Sequence, residues 1–177
     1  MANTKVYNNI IAGTRTAIID YAEGAGSVND HGLKNTLILN NTIIMPLDAF
    51  PNTGGVFGIK LRDNVTPSGT NRNVGSVIAN NAVYGFNDDL IMYSEQSGAL
   101  QGITLSNNLY FSLAAKPFAV GYDSSFKTTD FAGWKASVGA ETGSQFKDPM
   151  LENVARLHGT RAACMHIRRP SQRWDRR

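Results

Sequence analysis

The sequence predicts an all-β solenoid, in which short strands stack in parallel from one repeat to the next, and three observations predict it. The first is a doublet, Asn-Asn, that returns four times inside the same apolar strand. The copies are Val6-Tyr7-Asn8-Asn9-Ile10-Ile11, Leu37-Ile38-Leu39-Asn40-Asn41-Thr42-Ile43-Ile44, Val77-Ile78-Ala79-Asn80-Asn81-Ala82-Val83 and Ile103-Thr104-Leu105-Ser106-Asn107-Asn108-Leu109-Tyr110. Their spacings are 32, 40 and 27 residues. A unit that recurs at this period with variable insertions cannot bury its apolar side alone and does so by stacking on its neighbours. The second observation is another apolar run after each doublet: Ala17 to Tyr21, Phe57 to Arg62, Leu90 to Tyr93 and Phe118 to Tyr122. The third is composition: the runs are short, β-branched or aromatic, and bounded by Gly, Asn, Asp and Ser, which favours strands over helices.

One repeat therefore reads as strand, turn, strand and long loop, about four coils in all. Parallel strands of this kind stack at about 4.8 Å per coil. The paired asparagines suit the corner between strands, because Asn tolerates left-handed backbone angles and bonds neighbouring backbone groups. Stacked one above another, Asn side chains also form a hydrogen-bonded ladder along the axis. Beyond the repeats, Thr129 to Val138 predicts a short helix: Asp130 caps it, and Phe131, Trp134 and Val138 share a face. Asp148-Pro149 is a candidate start for a second helix carrying Leu151, Val154 and Leu157.

The Val-x-x-Asn-Asn-x-Ile strand followed by a Gly-x-Ile strand resembles the right-handed parallel β-helix superfamily, which includes pectate-lyase-like and chondroitinase-B-like bacterial proteins. The resemblance covers about residues 3 to 153. Near its end, Asp130-Phe131-Ala132-Gly133-Trp134, Gly139 and Ser144-Gln145-Phe146-Lys147-Asp148-Pro149-Met150-Leu151 are similar to the closing segment of many such proteins. The resemblance implies a right-handed parallel β-helix with short helical or irregular C-terminal segments. It divides the chain into coils over 1–125, a closing segment over 126–155 and a tail over 156–177. Relatives of this kind usually run to several hundred residues and are secreted or displayed on the cell surface. Here Met1 to Lys5 leads straight into the first repeat with no charged and apolar leader, so the expectation is a C-terminal fragment of a larger β-helix.

The tail departs from that pattern. Residues 156–177 hold seven Arg and no Lys, whereas the residues before them mix seven Lys with three Arg. Such a shift is what an out-of-frame or foreign stretch produces. Whole-chain charge is +3, but without the tail 10 basic residues face 13 acidic ones, a balance of −3. The basic character belongs to the tail, and no basic stripe interleaved with aromatics runs along the repeats, which argues against nucleic acid as a partner. No apolar run of about 18 residues argues for a membrane span. His158, Cys164 and His166 lie in the tail and lack the fourth partner of a structural zinc site, so no metal ligands are assigned. The single cysteine, Cys164, excludes an internal disulfide. A coil end with nothing stacked on it exposes apolar core and strand edge, which predicts homo-oligomers formed through the coil ends.

Equivalent positions in successive coils form stripes on the outside of a solenoid, because side chains alternate along each strand. With Ile59 and Leu61 inward, Lys60 and Arg62 point outward. Asp20, Tyr93, Tyr122 and Asp123 are expected on the same lateral face, with Asp63, Asp88, Asp89 and Glu95 at nearby strand ends. Cations, carboxylates and rings together suit recognition of a polysaccharide. In β-helix lyases a Lys or Arg removes the proton beside a uronate carboxylate, and Ca²⁺ or a second basic residue neutralises that carboxylate. By residue type Lys60, Arg62 and Asp63 are the catalytic candidates, and Asp20, Tyr93, Glu95, Tyr122 and Asp123 the substrate-binding ones. None of them matches a lyase motif residue by residue, and the same side chains also fit ordinary exposed strand positions. Hydrolysis would need two carboxylates about 5 Å apart, or further for inversion, for which Asp20, Asp63, Asp89 and Asp123 are candidates beside their usual role in turns. These carboxylates also offer oxygen ligands for Ca²⁺, without a calcium-loop spacing. The reading that follows is a glycan-associated β-helix module without robust activity of its own, with a lyase or glycoside hydrolase as the alternative and a purely structural module as the third.

Overall fold

A computed structural model of the chain describes residues 2–21, 32–46, 55–62, 73–86, 89–95, 100–121, 125–139 and 141–152. The strands come in successive triplets, each triplet forming one tier. The first holds β1 (Lys5–Tyr7), β2 (Ile10–Ala12) and β3 (Thr16–Tyr21), and the second β4 (Leu37–Leu39), β5 (Thr42–Ile44) and β6 (Phe57–Arg62). The third holds β7 (Ser76–Ala79), β8 (Ala82–Tyr84) and β9 (Leu90–Ser94), and the fourth β10 (Ile103–Ser106), β11 (Leu109–Phe111) and β12 (Phe118–Val120). After these come β13 (Lys127–Thr129), α1 (Phe131–Val138), β14 (Glu141–Thr142) and β15 (Gln145–Phe146).

Like strands of successive tiers pair with one another, giving three five-stranded sheets: β1-β4-β7-β10-β14, β2-β5-β8-β11-β15 and β3-β6-β9-β12-β13. Every pairing is parallel except β12 with β13. The fold is thus mostly β with stacked parallel strands, an arrangement compatible with a β-helix. Among the described residues, no helix is long and apolar enough to cross a membrane.

The register explains the core. Val6, Ile38, Ile78 and Leu105 align in the first sheet, Ile11, Ile43, Val83 and Tyr110 in the second, and Ile18, Ile59, Met92 and Phe118 in the third. These rows meet in one apolar cluster, with Val6 and Ile11 of the first tier only partly buried. Because the tiers stack in register, each of these rows brings side chains of successive tiers to the same place in the interior, and Leu61, Ile91, Ile103 and Val120 join them there.

The doublets make the corners between the first and second sheets. The first Asn of each pair takes the left-handed conformation, with φ of 57° at Asn8, 56° at Asn40, 56° at Asn80 and 52° at Asn107. The second Asn turns inward and builds the ladder. Asn9 donates through Nδ2 to Asn41 Oδ1 at 3.0 Å, Asn41 to Asn81 at 2.9 Å and Asn81 to Asn108 at 3.0 Å. Each of these oxygens also accepts the backbone N–H of the preceding rung, at 3.1, 3.0 and 3.0 Å. Asn41, Asn81 and Asn108 are buried, so these bonds satisfy groups that water cannot reach.

The ladder extends one rung beyond the Asn-Asn doublets. Gly143, at φ 71°, stands where the first Asn would be, and Ser144 Oγ accepts the Asn108 N–H at 2.9 Å. Glu141–Thr142 and Gln145–Phe146 accordingly stack in parallel on β10 and β11. Meanwhile the third sheet closes with the antiparallel strand β13 and then α1.

Helix α1 occupies the expected stretch. The Asp130 carboxylate accepts from the Gly133 N–H at 2.8 Å as its N-cap, and Gly139 ends it in the left-handed conformation at φ 69°. Its buried residues are Trp134 and Val138. Trp134 stacks on Phe118 with centroids 5.5 Å apart, and Phe131 and Phe146 pack beside Phe118. No helix starts at Asp148-Pro149. Instead Asp148 accepts from the Met150 N–H at 2.8 Å, and Met150 sits at φ 55°, outside helical geometry. Val154, Leu157 and the whole of 156–177 lie outside the described residues.

Candidate functional site

The third sheet positions the candidate residues. Its pairing places Ile19 beside Lys60, Lys60 beside Tyr93 and Tyr93 beside Ala119. This row alternates with the inward row of Ile18, Ile59, Met92 and Phe118, so Lys60 and Tyr93 share the outer face. Phe57, Tyr93, Ala119 and Leu90 form there a second apolar cluster, distinct from the main core.

Lys60 is held inside that cluster. Its ammonium lies 4.5 Å from the centre of the Phe57 ring and 5.0 Å from that of Tyr93. Glu95 Oε1 stands 3.7 Å from Lys60 Nζ, and the side chains are 15% and 1% exposed. A carboxylate so deeply buried requires a counter-charge, and the ring faces add to the hold on the cation. Tyr93 stacks on Phe57 at 5.5 Å and meets the edge of Phe126 at 5.7 Å, while its hydroxyl donates to the Gly121 carbonyl at 3.1 Å.

Three of the sequence candidates therefore converge: Lys60, Tyr93 and Glu95. Asp20 pairs with Leu61, one residue along from the Lys60 row, so the register puts Ile19 rather than Asp20 beside Lys60. Arg62 pairs through its backbone with Tyr21, and the side chains of Asp20 and Arg62 are not among those described. Asp63, Tyr122 and Asp123 lie outside the described residues. Asp89 is buried and accepts the Phe86 N–H at 3.3 Å. Among the described residues, no group of three or more His, Cys, Asp or Glu is placed to hold a metal ion.

The sequence reading missed Phe57 and Phe126 as partners of Lys60 and Tyr93. For Phe57 alternation misleads: counted from Lys60 it puts Phe57 inward with Ile59, whereas Gly58 faces the core at Val83 and Phe57 lies with Tyr93 and Lys60. Phe126 follows the last repeat and carries no periodic mark. A second polar constellation was also missed. Tyr110 Oη and Trp134 Nε1 both donate to Glu141 Oε1, each at 2.8 Å. Burial, then the Glu141 carboxylate, raises the Tyr110 phenol well above its ordinary value of 10.0.

Comparison with protein-family models, with curated proteins and with solved structures finds no match to this chain. What it does is therefore argued from its own geometry.

Proposed function

We propose that this chain is a non-catalytic module of a right-handed parallel β-helix of the polysaccharide-processing type, which associates with glycans through its lateral faces. The observation that carries the non-catalytic part is the enclosure of Lys60 by Glu95, Phe57 and Tyr93. A lyase base must shed its proton near neutral pH and reach the substrate. Lys60 lacks that reach, because Glu95, Phe57 and Tyr93 enclose its ammonium and leave its side chain 15% exposed.

What supports the glycan part is aromatic surface on the second sheet. Tyr84 and Phe111 are register partners on adjacent strands, with centroids 5.0 Å apart, and both are half-buried. Rings at such positions offer apolar faces to the C–H side of a sugar while the Tyr hydroxyl supplies a polar contact.

The test is a panel of uronate-containing and neutral polysaccharides, read for binding by affinity electrophoresis, for lyase activity at 235 nm and for hydrolysis by new reducing ends. Retardation on at least one glycan without either activity is the expected result, and Tyr84→Ala with Phe111→Ala should remove it. Rising absorbance at 235 nm or new reducing ends would overturn the non-catalytic reading, and no retardation on any glycan would overturn the glycan reading.

A further inference from the structure

One asparagine of each doublet takes no part in the ladder. This first Asn, at Asn8, Asn40, Asn80 and Asn107, is exposed at every corner. Its backbone N–H donates to the next tier, to Leu39, Ala79, Ser106 and Thr142 at 3.1, 3.1, 3.1 and 2.9 Å, so the four residues stand in one line along the axis. Neighbours in that line are about 4.8 Å apart. Among the described residues none of the four side-chain amides is hydrogen-bonded. Each therefore presents a donor and an acceptor to solvent.

The second sheet runs from this line to the aromatic row. Ile43, Val83 and Tyr110 point inward, so their strand neighbours face outward. Thr42, Ala82 and Leu109 are register partners on the near side, and Tyr84 and Phe111 on the far side. From the corner outward the face reads amides, then small or aliphatic side chains, then rings, and each row repeats once per tier. Four residues at a strand's rise put amides and rings at most about 13 Å apart, which leaves the width of one sugar chain between their side chains.

Charge narrows the class of sugar. A uronate chain is recognised by cations repeated along its path, and these rows carry none in tiers two to four. Lys147 follows Phe111 beyond them, its N–H donating to the Tyr110 carbonyl at 2.8 Å, and Asp148 comes next in sequence. Burial, then the Asp148 carboxylate, raises the Tyr84 phenol above its ordinary value of 10.0. A carboxylate thus already acts on the ring row, and it repels a second one.

We propose that the ligand is an uncharged glycan in extended conformation, lying along the solenoid axis on the second sheet. Its hydroxyls, which like amides both donate and accept, bond to Asn40, Asn80 and Asn107. The C–H faces of its sugars rest on Leu109 and against Tyr84 and Phe111. The path is axial because both rows repeat along the axis and not across it, and an extended β-linked chain advances by little more than one tier per sugar. This inference rests on the glycan reading above and adds to it the charge class, the path and the asparagine row.

The experiment is affinity electrophoresis of the whole chain in gels containing mixed-linkage β-glucan, glucomannan, polygalacturonate or alginate. Retardation by a neutral polymer and by neither uronate polymer is expected. Asn40→Gly with Asn80→Gly and Asn107→Gly removes the amides without backbone strain, since glycine accepts the positive φ and Gly143 already fills this corner one tier on. The triple variant is expected to bind at least about tenfold more weakly, and Asn80→Gly alone about threefold. Asn35→Gly, at a different corner, should change nothing. Far-UV circular dichroism checks the fold, and the single variant decides if the triple one does not fold. Undiminished retardation of the glycine variants, or retardation by a uronate polymer as strong as by a neutral one, would overturn this inference. Loss of that retardation in Tyr84→Ala with Phe111→Ala would then leave the glycan reading standing. No retardation by any polymer would overturn the glycan reading and this inference with it.

Discussion

Asn41 and Asn81 sit one tier apart and are joined by a 2.9 Å bond from the Nδ2 of the first to the Oδ1 of the second. The same Oδ1 takes the Asn41 backbone N–H at 3.0 Å, while Asn81 Nδ2 spans to the Ile38 carbonyl at 2.9 Å. One side chain therefore closes the corners of two tiers. Asn81→Ala orphans buried groups above and below it, each costing about 1–3 kcal/mol, so a loss of about 3–5 kcal/mol is expected. Asn9→Ala removes a rung at the exposed end and should cost about 1 kcal/mol. Urea denaturation of the two variants measures both, and equal losses would show that the ladder adds little in the interior.

Those corners are also where the sequence was most legible. Asn is among the few residues that take φ near 56° without strain, and its amide both donates and accepts, so the doublet announces fold and spacing together. The rung at Gly143-Ser144 escaped because other atoms do the same work: Gly supplies the left-handed angle and a hydroxyl accepts the N–H. The candidate site was legible in part. Alternation turns Lys60 outward, but its neighbour across the sheet depends on register, and an offset of one residue puts Ile19 there instead of Asp20. Burial of Glu95 was hidden for another reason: it depends on what packs over the outer face, which strand periodicity does not encode.

The Lys60–Glu95 pair yields the second prediction. Lys60→Met keeps the apolar stem over Phe57 and Tyr93 but removes the ammonium that lies 3.7 Å from the buried Glu95 carboxylate. Breaking a buried pair from one side costs about 3–5 kcal/mol. Adding Glu95→Gln removes the stranded charge, so the double variant should be more stable than Lys60→Met alone. A double-mutant cycle by urea denaturation checks this. Simple additivity of the two single losses would show that the pair is not coupled.

Two glycines make a third prediction, in which backbone angle is held constant and space is varied. Gly13 and Gly102 have φ of 68° and 70°. A Cβ at Gly13 meets nothing within 4 Å, whereas one at Gly102 runs into the Asn73 carbonyl oxygen. Gly13→Ala should therefore cost only the left-handed penalty, about 1–2 kcal/mol. Gly102→Ala adds an overlap with backbone, which cannot move without parting β7 from β10. Its loss should exceed that of Gly13→Ala by at least about 2 kcal/mol. Thermal denaturation of the pair reads the difference directly.

Alkaline pH gives the fourth. The Tyr110 phenol is raised well above 10.0, first by burial and then by the Glu141 carboxylate to which it donates. In the unfolded chain an ordinary Tyr releases its proton near pH 10. Between that pH and the raised folded value, the unfolded state binds fewer protons than the native one, so stability falls as pH rises. Below pH 10 the contribution is fully present. Tyr84, raised by burial and by Asp148, slopes the same way and remains when Tyr110 is changed. Tyr110→Phe should therefore lower stability at pH 8, since Glu141 Oε1 loses one of its two donors, yet lessen the decline between pH 9.5 and about 11. Urea midpoints across that range test it, and parallel curves for the two proteins would remove Tyr110 as the source of the alkaline loss.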